Sequence, residues 1–330
     1  MMKRALLLGP RFQIDRVYGP KQREKLAALV ALDVFTGRYD DRAALEDALK
    51  DAELIFTTWG MKRLDEAFLS MAPKLEAVFY AAGSVRGVVT PAFWESGIRL
   101  FSAWAANAVP VAELAFSLIM LGLKRYFAHA AAFTSPDGYR RLPVPGGFGS
   151  SVGLVGMGRI GRRVREFLAM TDVAVFAYDP YLSPAEAERL GVALKDLDAL
   201  FAECDAVSLH APNLPSTRHM IGASHLRLMK EGAVFINTAR GALVDEAGLV
   251  EVLSERKDIW AFLDVTDPEP PPPGSPLYAL ENVVLTPHIA GSQDRECYRM
   301  AEYMIDECRR YLQGEPLRYQ VTPAMMETMA

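Results

Sequence analysis

The stretch VGLVGMGRIG at residues 152–161 limits the fold more than any other part of the sequence. Its apolar run is typical of a buried strand, and the amphipathic RIGRRVREFLAM pattern that overlaps its end is typical of a helix. Gly156, Gly158 and Gly161 lie between them in the GxGxxG spacing, which lets a pyrophosphate approach the backbone at the N-terminus of the helix. The motif therefore predicts a dinucleotide-binding unit of strand, glycine loop and helix.

An acidic residue follows at the position that such a unit needs. The next strand-like run, VAVFAYD, ends at Asp179. A carboxylate there can accept hydrogen bonds from the ribose hydroxyls and repels a 2′-phosphate, so the sequence favours NAD over NADP. The alternative is structural, because Asp179 followed by Pro180 also makes a good turn.

Strand-like runs alternate with amphipathic segments along the whole chain of 330 residues. This rhythm is typical of parallel sheets covered by helices. The ten runs exceed the usual five or six strands of one sheet, so we expect two doubly wound α/β domains. The runs begin near residues 5, 53, 74, 98, 152, 173, 206, 233, 259 and 282.

Composition excludes several classes of protein. The net charge of −5 is spread along the chain without a basic stripe, so nucleic-acid binding is not expected. Cys204, Cys297 and Cys308 form neither a disulfide framework nor a metal-ligand set, which predicts no metal and a reducing cytoplasm. The most apolar stretch, 109–123, contains Glu113 and is shorter than a membrane span of about 20 residues, and the N-terminal apolar run is too short for a signal peptide. We expect a soluble protein.

Three polar residues of the second half could support hydride transfer to a keto acid. That reaction needs a cation to hold the carboxylate, a proton donor at the carbonyl oxygen, and a partner that tunes the donor. Arg240, Glu269 and His288 each follow a strand-like run, and open α/β sheets bind ligands at the carboxyl ends of their strands. Taken singly, each could equally be a surface or structural residue.

Five stretches in order resemble the D-isomer-specific 2-hydroxyacid dehydrogenase family over nearly the whole chain. The resemblance implies a Rossmann NAD-binding domain inserted into a flavodoxin-like substrate domain. It also implies that Arg240 binds the substrate carboxylate, that His288 is the acid/base and that Glu269 pairs with His288. The matching stretches are VGLVGMGRIGRRV from 152, SLHAPNLPSTRHMI from 208, INTARGALVDE from 236, LDVTDPEP from 263 and LTPHIAG from 285.

The resemblance implies further contacts with the cofactor and the substrate. Backbone N–H groups of Ser84 and Val85 would hold the substrate carboxylate, although the loop departs from relatives at Arg86, which could face solvent or a second acidic group of the substrate. Trp59 could line the pocket or belong to the core. In the cofactor site, Arg159 and Ile160 would meet the pyrophosphate, Ala211, Pro212 and Thr217 the adenosine side, and Thr238, Ala239 and Asp264 the nicotinamide end, with Gly291 completing the set.

The resemblance also predicts the domain layout and the oligomeric state. Residues 1–104 and 291–330 would form the substrate domain and residues 105–290 the NAD-binding domain, with helices at 107–125 and 293–312 at the two crossings. The family's first crossing helix helps form a homodimer, and the apolar run LAFSLIMLGL is buried on nearly all faces in either a dimer or a monomeric core.

The function implied is NAD-dependent interconversion of a small 2-keto acid and a D-2-hydroxy acid. Two alternatives stay open on the sequence. One is an NAD(H)-sensing binding protein similar to the C-terminal-binding corepressors, which retain the same three residues. The other is a phosphite dehydrogenase, which shares the Arg, Glu and His. The physiological substrate cannot be derived from the motifs.

Overall fold

The computed structural model describes residues 2–327 and 329. The chain forms two compact units: unit 1 comprises Met1–Ala108 and Ser292–Ala330, and unit 2 comprises Val109–Gly291. The sequence placed these boundaries after residues 104 and 290. Each unit has its own sheet, and the predicted class, two doubly wound α/β domains, is confirmed.

Ten of the strands in the described residues coincide with the ten strand-like runs. The other three, β2, β8 and β13, were not predicted. In chain order the strands are β1 (Arg4–Leu8), β2 (Ala31–Phe35), β3 (Leu54–Thr57), β4 (Ala77–Tyr80), β5 (Arg99–Ser102), β6 (Ser151–Val155), β7 (Ala174–Tyr178), β8 (Ala193–Leu194), β9 (Ala206–Leu209), β10 (Val234–Asn237), β11 (Trp260–Leu263), β12 (Val283–Leu285) and β13 (Gln320–Val321).

Helices connect most of these strands, and several begin at a side-chain cap. Asp41, Asp65, Thr90 and Asp196 each accept a hydrogen bond from the N–H group three residues later, which satisfies a donor that the helix itself leaves free. The helices are α1 (Arg11–Val17), α2 (Pro20–Ala27), α3 (Arg42–Leu49), α4 (Glu66–Met71), α5 (Pro91–Glu95), α6 (Trp104–Leu123), α7 (Tyr126–Ala132), α8 (Arg159–Leu168), α9 (Pro184–Leu190), α10 (Leu197–Glu203), α11 (Ala223–Leu228), α12 (Glu246–Glu255) and α13 (Arg295–Gln313).

The sheet of unit 1 has the strand order β13-β5-β4-β3-β1-β2. Its five N-terminal strands are parallel in the order 2-1-3-4-5, which is the flavodoxin-like arrangement. β13 departs from the all-parallel expectation, because it pairs antiparallel with β5. The rings of Phe56, Phe79 and Phe101 stack across three neighbouring strands with centroids 4.7 and 4.8 Å apart, so the centre of this sheet is an aromatic ladder.

The sheet of unit 2 is parallel throughout, in the order β12-β11-β10-β9-β6-β7-β8. When the strands are numbered within the unit and read from the β8 edge, the order is 3-2-1-4-5-6-7, which is the Rossmann order with one added strand. The order reverses beside β6, and ligands bind in the crevice at the carboxyl ends of the strands next to such a point. The glycine loop follows β6 directly.

Helix α6 contains the first boundary between the units. It is long and apolar enough to cross a membrane by length and composition alone, and half of its most apolar window is buried inside the protein. Ala112, Ala115 and Ile119 are fully buried in a core of unit 2. A core helix has the same composition, so these features alone do not identify a membrane segment.

The chain's two crossings between the units are tied together by one side chain. The Oδ1 atom of Asn107 accepts a hydrogen bond of 2.9 Å from the backbone N–H of Ser292. Asn107 also packs beside Gly83, where an added Cβ would lie 3.3 Å from its Nδ2 atom. A residue of the first crossing thus fixes the start of the second.

Candidate active site

The three glycines of the predicted dinucleotide loop have different environments. Gly156 has φ of +98°, and a Cβ there would lie 2.6 Å from the backbone nitrogen of Ala211, so any other residue would disturb the packing of β6 against the end of β9. A Cβ at Gly161 would lie 2.1 Å from the carbonyl oxygen of Gly156. At Gly158 nothing lies within 4 Å. The fold therefore requires glycine at positions 156 and 161, whereas Gly158 leaves open space at the N-terminus of α8.

Asp179 lies at the end of β7, and both of its oxygens bind backbone N–H groups. Oδ2 accepts from Met157 at 2.7 Å and Oδ1 from Tyr181 at 2.9 Å. The contact with Tyr181 is the turn interaction that the sequence offered as the structural alternative. The contact with Met157 joins Asp179 to the glycine loop, so the acid stands beside the predicted pyrophosphate site.

Buried polar groups without a partner lie at the ends of β9 and β10. Among the described residues nothing hydrogen-bonds to either ring nitrogen of His210 or to Oγ1 of Thr238. Leu209 and Asn237 are register partners in the parallel pair, so His210 and Thr238 follow them side by side. Burial lowers the pKa of His210 to about 3, so its ring is neutral at physiological pH. Such groups are costly unless a ligand or water satisfies them.

Other predicted cofactor residues have internal roles as well. Oγ1 of Thr217 donates to the carbonyl of Pro212 at 2.6 Å and accepts from the N–H of Leu214 at 2.9 Å, which closes the loop that follows His210. Ala211 and Ala239 are buried at the ends of β9 and β10, and Ile160 is partly buried against the core beneath α8. Arg159 is the first residue of α8, and Gly291 is the last residue of unit 2.

His288 and Glu269 form a hydrogen-bonded pair at the carboxyl edge of the sheet. Nδ1 of His288 lies 2.7 Å from Oε1 of Glu269, and both side chains are less than half exposed. Glu269 follows β11 and His288 follows β12, which pair in parallel register at Leu263 and Leu285. The structure thus brings together two residues that the sequence paired only through the family resemblance.

Asp264 holds the loop that carries His288. Its Oδ1 accepts from Oγ1 of Thr286 at 2.5 Å and from the N–H of Ile289 at 2.8 Å, and Oδ2 accepts from the N–H of Ala290 at 2.8 Å. The N–H of His288 donates to the carbonyl of Asp264 at 3.0 Å while His288 has φ of +54°. The resemblance assigned Asp264 to the nicotinamide end of the cofactor, and that assignment stays a prediction; in the structure its oxygens bind protein donors. Sequence reasoning missed Thr286, and the signal was a hydroxyl two residues before the histidine.

Arg240 is a partly buried cation without an ion-pair partner among the described residues. Its Nη1 donates to the carbonyl of Ala239 at 2.5 Å, and Nδ2 of Asn237 donates to the carbonyl of Arg240 at 2.9 Å, which fixes the turn after β10. Burial lowers the pKa of Arg240, and the negative charge of Glu269 acts in the opposite direction. A guanidinium withdrawn from water in this way is a favourable site for an anion.

The predicted substrate loop belongs to unit 1, between β4 and α5. The N–H groups of Gly83, Ser84 and Val85 donate to no acceptor in the described part of the chain. Two carbonyls of the loop are satisfied by one hydroxyl: Oγ of Ser102 donates to Ala82 and Gly83 at 2.9 and 2.7 Å. Successive free N–H groups in a turn can bind an anion, so this loop is a candidate anion site.

The sequence matches the model of one known protein family. The model, "D-isomer specific 2-hydroxyacid dehydrogenase, NAD binding domain", matches residues 117–290, more than half of the chain.

The chain belongs to the D-isomer-specific 2-hydroxyacid dehydrogenase family.

Relatives in this family cover both units. Glyoxylate reductase of Korarchaeum cryptofilum is 33% identical over 258 residues, 76% of this chain and 77% of that protein. D-3-phosphoglycerate dehydrogenase of Methanocaldococcus jannaschii is 34% identical over 274 residues, 82% of this chain and 52% of that protein, so the chain spans about half the length of this relative.

Two solved structures share the fold of this chain. The TT0316 protein of Thermus thermophilus is 33% identical with a TM-score of 0.69, and the match covers 97% of this chain and all of that one. D-mandelate dehydrogenase of Rhodotorula graminis has a TM-score of 0.82 at 23% identity over 97% of this chain and 98% of that one, and this likeness concerns the fold alone.

Unit 2 of this family member contains the NAD-binding domain, and NAD is its cofactor. The described residues fit that group: Gly158 leaves room for a pyrophosphate, and the unpartnered groups of His210 and Thr238 lie at the carboxyl ends of β9 and β10, the edge at which such sheets bind a dinucleotide. The family match therefore agrees with independent features of the structure.

The neutral buried ring of His210 predicts a loss of stability in acid. The unfolded chain has an ordinary histidine pKa, so it binds the extra proton between about pH 6.5 and 3 while the folded protein does not. Stability is therefore complete above this window and falls as the pH decreases through it. In denaturant titrations without NAD, the unfolding free energy of the wild type relative to His210→Gln should fall by roughly 3 kcal/mol from pH 7 to pH 4. A difference independent of pH would contradict the burial of the neutral ring.

Proposed function

We propose that this protein is an NAD-dependent oxidoreductase that interconverts a 2-keto acid and a D-2-hydroxy acid. The observation that carries the proposal is Arg240, a partly buried guanidinium that forms no ion pair among the described residues. A substrate carboxylate would supply the missing charge, and the planar guanidinium can hold it through two parallel hydrogen bonds. The names of the relatives, a glyoxylate reductase and a D-3-phosphoglycerate dehydrogenase, support the same substrate class.

His288 acts as the acid/base in this proposal. Because Nδ1 of the imidazole faces Glu269, Nε2 is the nitrogen left for the substrate oxygen. Glu269 stabilises the imidazolium and fixes which nitrogen carries the proton to be transferred. In the reductive direction Nε2 gives its proton to the carbonyl oxygen, and in the oxidative direction it removes the proton of the hydroxyl group. NAD supplies or accepts the hydride when it is bound.

The remaining predicted residues position the reactants. Backbone N–H groups of Ser84 and Val85 would also bind the substrate carboxylate, and the free N–H groups of this loop support that role. In the cofactor site we assign the pyrophosphate to the glycine loop with Arg159 and Ile160, and the ribose to Asp179. Asp264 acts by holding the His288 loop. The other cofactor contacts proposed are Ala211, Pro212, Thr217, Thr238, Ala239 and Gly291.

Gly158 offers a clean test of the proposed pyrophosphate site. Its φ of −68° is open to alanine and nothing lies within 4 Å of an added Cβ, so Gly158→Ala should change the unfolding free energy by less than about 1 kcal/mol. The methyl group would occupy the space for the pyrophosphate, so the Kd for NADH, measured by fluorescence titration, should rise at least about tenfold. The matched control is Gly222→Ala, because Gly222 also caps a helix, α11, with nothing within 4 Å. An unchanged Kd in Gly158→Ala would exclude this site.

The proposed role of Arg240 is tested by steady-state kinetics. NADH consumption is measured with glyoxylate, pyruvate, hydroxypyruvate, 3-phosphohydroxypyruvate, oxaloacetate and branched or aromatic 2-keto acids. With the best substrate, Arg240→Gln should lower kcat/KM at least about a hundredfold, because it removes a charge-assisted pair from a partly buried site. The Kd for NADH should not change.

The control for this experiment is Arg227→Gln, because Arg227 is an exposed arginine of unit 2 that pairs with Glu251. Loss of NADH binding in Arg240→Gln would contradict the assignment to the substrate. Tight NADH binding without turnover of any keto acid would reject the proposed reaction, and phosphite oxidation and peptide binding would then be measured with the same protein.

We also propose that the protein forms a homodimer and that it is located in the cytoplasm. The segment after α6 exposes five large hydrophobic side chains, at Tyr126, Phe133, Tyr139, Val144 and Phe148, with exposures of 41–87%. A cluster of this kind is typical of an interface. Buried free thiols at Cys204, Cys297 and Cys308 are compatible with a reducing compartment, which cell fractionation would test.

Sedimentation measures the oligomeric state directly. The wild type should sediment at twice the 36.4 kDa of one chain, and the double variant Phe133→Asp and Phe148→Asp should sediment as a monomer, because two charges would be buried without partners. Phe12→Asp is the control, since Phe12 is 72% exposed in unit 1. A monomeric wild type would reject the dimer.

A further inference from the structure

The substrate loop of unit 1, residues 81–89, is fixed at its start by hydroxyl groups. Oγ1 of Thr58 donates to the carbonyl of Ala81 at 2.8 Å, and Ser102 binds the next two carbonyls, as described above. The backbone N–H of Ser102 in turn donates to the carbonyl of Tyr319 at 3.1 Å. The first anchor of the loop therefore leads to the chain segment just before β13.

The second anchor is Arg86. Its Nε and Nη2 atoms donate to the carbonyl of Met329 at 2.9 and 2.7 Å, and Nη2 also donates to the carbonyl of Met326. The sequence suggested that Arg86 faces either solvent or a second acidic group of the substrate. The side chain is exposed, but its guanidinium binds backbone carbonyls, a contact that neither interpretation describes. Both acceptor carbonyls are neutral, and Arg86 has no ion-pair partner in residues 2–327 and 329. Its charge therefore strengthens three hydrogen bonds to one short segment.

The segment that accepts these bonds is itself attached to unit 1. β13 pairs antiparallel with β5 through Val321 and Leu100. Beyond it, the side chains of Met326 and Met329 pack against the apolar cluster that contains Val85 and Val88 of the same loop. The C-terminal segment, residues 319–327 and 329, thus contacts the substrate loop directly beside and after the three free N–H groups, and it reaches the start of the loop only through Ser102.

We propose that Arg86 is a positioning residue that fixes the substrate loop through the carbonyls of the C-terminal segment. This inference rests on the proposed function, in which the N–H groups of Ser84 and Val85 hold the substrate carboxylate. Arg86 does not touch the substrate. It keeps the N–H groups pointing in one direction, because a loop held at both ends loses fewer conformations when the anion binds.

The consequence is a specific kinetic pattern. Loss of the Arg86 contacts raises KM for the keto acid and leaves the Kd for NADH unchanged, because the cofactor-binding domain lies in unit 2. The effect is transmitted through the part of the C-terminal segment that follows β13, so removal of the residues after Thr322 should produce the same change. Arg86→Gln introduced into this shortened chain should raise KM no further, since the effects of residues that act through one shared contact are not additive.

The experiment is a double-mutant cycle with Arg86→Gln, a chain that ends after Thr322, and both changes together. We expect KM to rise about tenfold in each and no further in the combination. Should the shortened chain fail to fold, Met326→Ser with Met329→Ser loosens the segment in the full chain. Arg86→Lys should recover part of the effect, because an ammonium can reach one carbonyl. Arg38→Gln is the control, since Arg38 is an exposed arginine of unit 1 paired only with Asp40.

Hydrogen exchange gives a readout that does not require turnover. The N–H groups of Val88 and Val89 both donate to the carbonyl of Val85. In a peptide covering residues 81–90 they should exchange at least about tenfold faster in Arg86→Gln and in the loosened segment than in the wild type.

The outcomes separate the two proposals. Unchanged exchange, or a rise in KM from Arg86→Gln that is equally large without the segment, would overturn the positioning role while the reaction stands. A wild type that turns over no keto acid rejects the proposed function. Faster exchange in Arg86→Gln would then still show that Arg86 fixes the loop, although the loop would not bind a keto acid.

Discussion

The common direction of the strands in unit 2 is the constraint on which its candidate site depends. In a parallel sheet every strand ends at the same edge, so residues far apart in sequence become neighbours there. The β9–β10 register sets His210 beside Thr238, and the β11–β12 register brings Glu269 within reach of His288. The side chains that face this edge differ widely in chemistry, but the position of each follows from the end of its strand.

Hydrogen-bond satisfaction separates residues that build the site from residues that face a ligand. Asp264 binds three protein donors, so its carboxylate supports the loop that carries His288. Arg240, the ring of His210 and the N–H groups of Gly83 to Val85 lack comparable partners in the described chain. Polar groups that a fold buries are normally paired, so the unpaired ones indicate where binding partners belong.

Sequence reasoning found the fold, because the fold depends on local patterns, and it selected the candidate site residues, whose roles stay predictions. The glycine loop, ten strands and the order of Arg240, Glu269 and His288 were all derived from short stretches. Strand β2 was missed because it has no apolar periodicity and is largely exposed, and β8 and β13 have two residues each. The partners of Asp264 and Arg86 were missed for another reason: hydrogen bonds across 26 or 243 residues leave no periodic trace in the chain.

The insertion of unit 2 between the two parts of unit 1 sets an order of folding during synthesis. Unit 2 is continuous from Val109 to Gly291, so it can complete its sheet as soon as it has left the ribosome. Unit 1 cannot, because α13, which supplies Met300, Met304 and Cys308 to one of its cores, is synthesised after all of unit 2. Until then β1 to β5 have one incompletely covered face, and β5 has an unpaired edge that β13 later closes. The nascent chain thus carries an incomplete sheet while its neighbour is already folded, and this interval is when aggregation is most favoured.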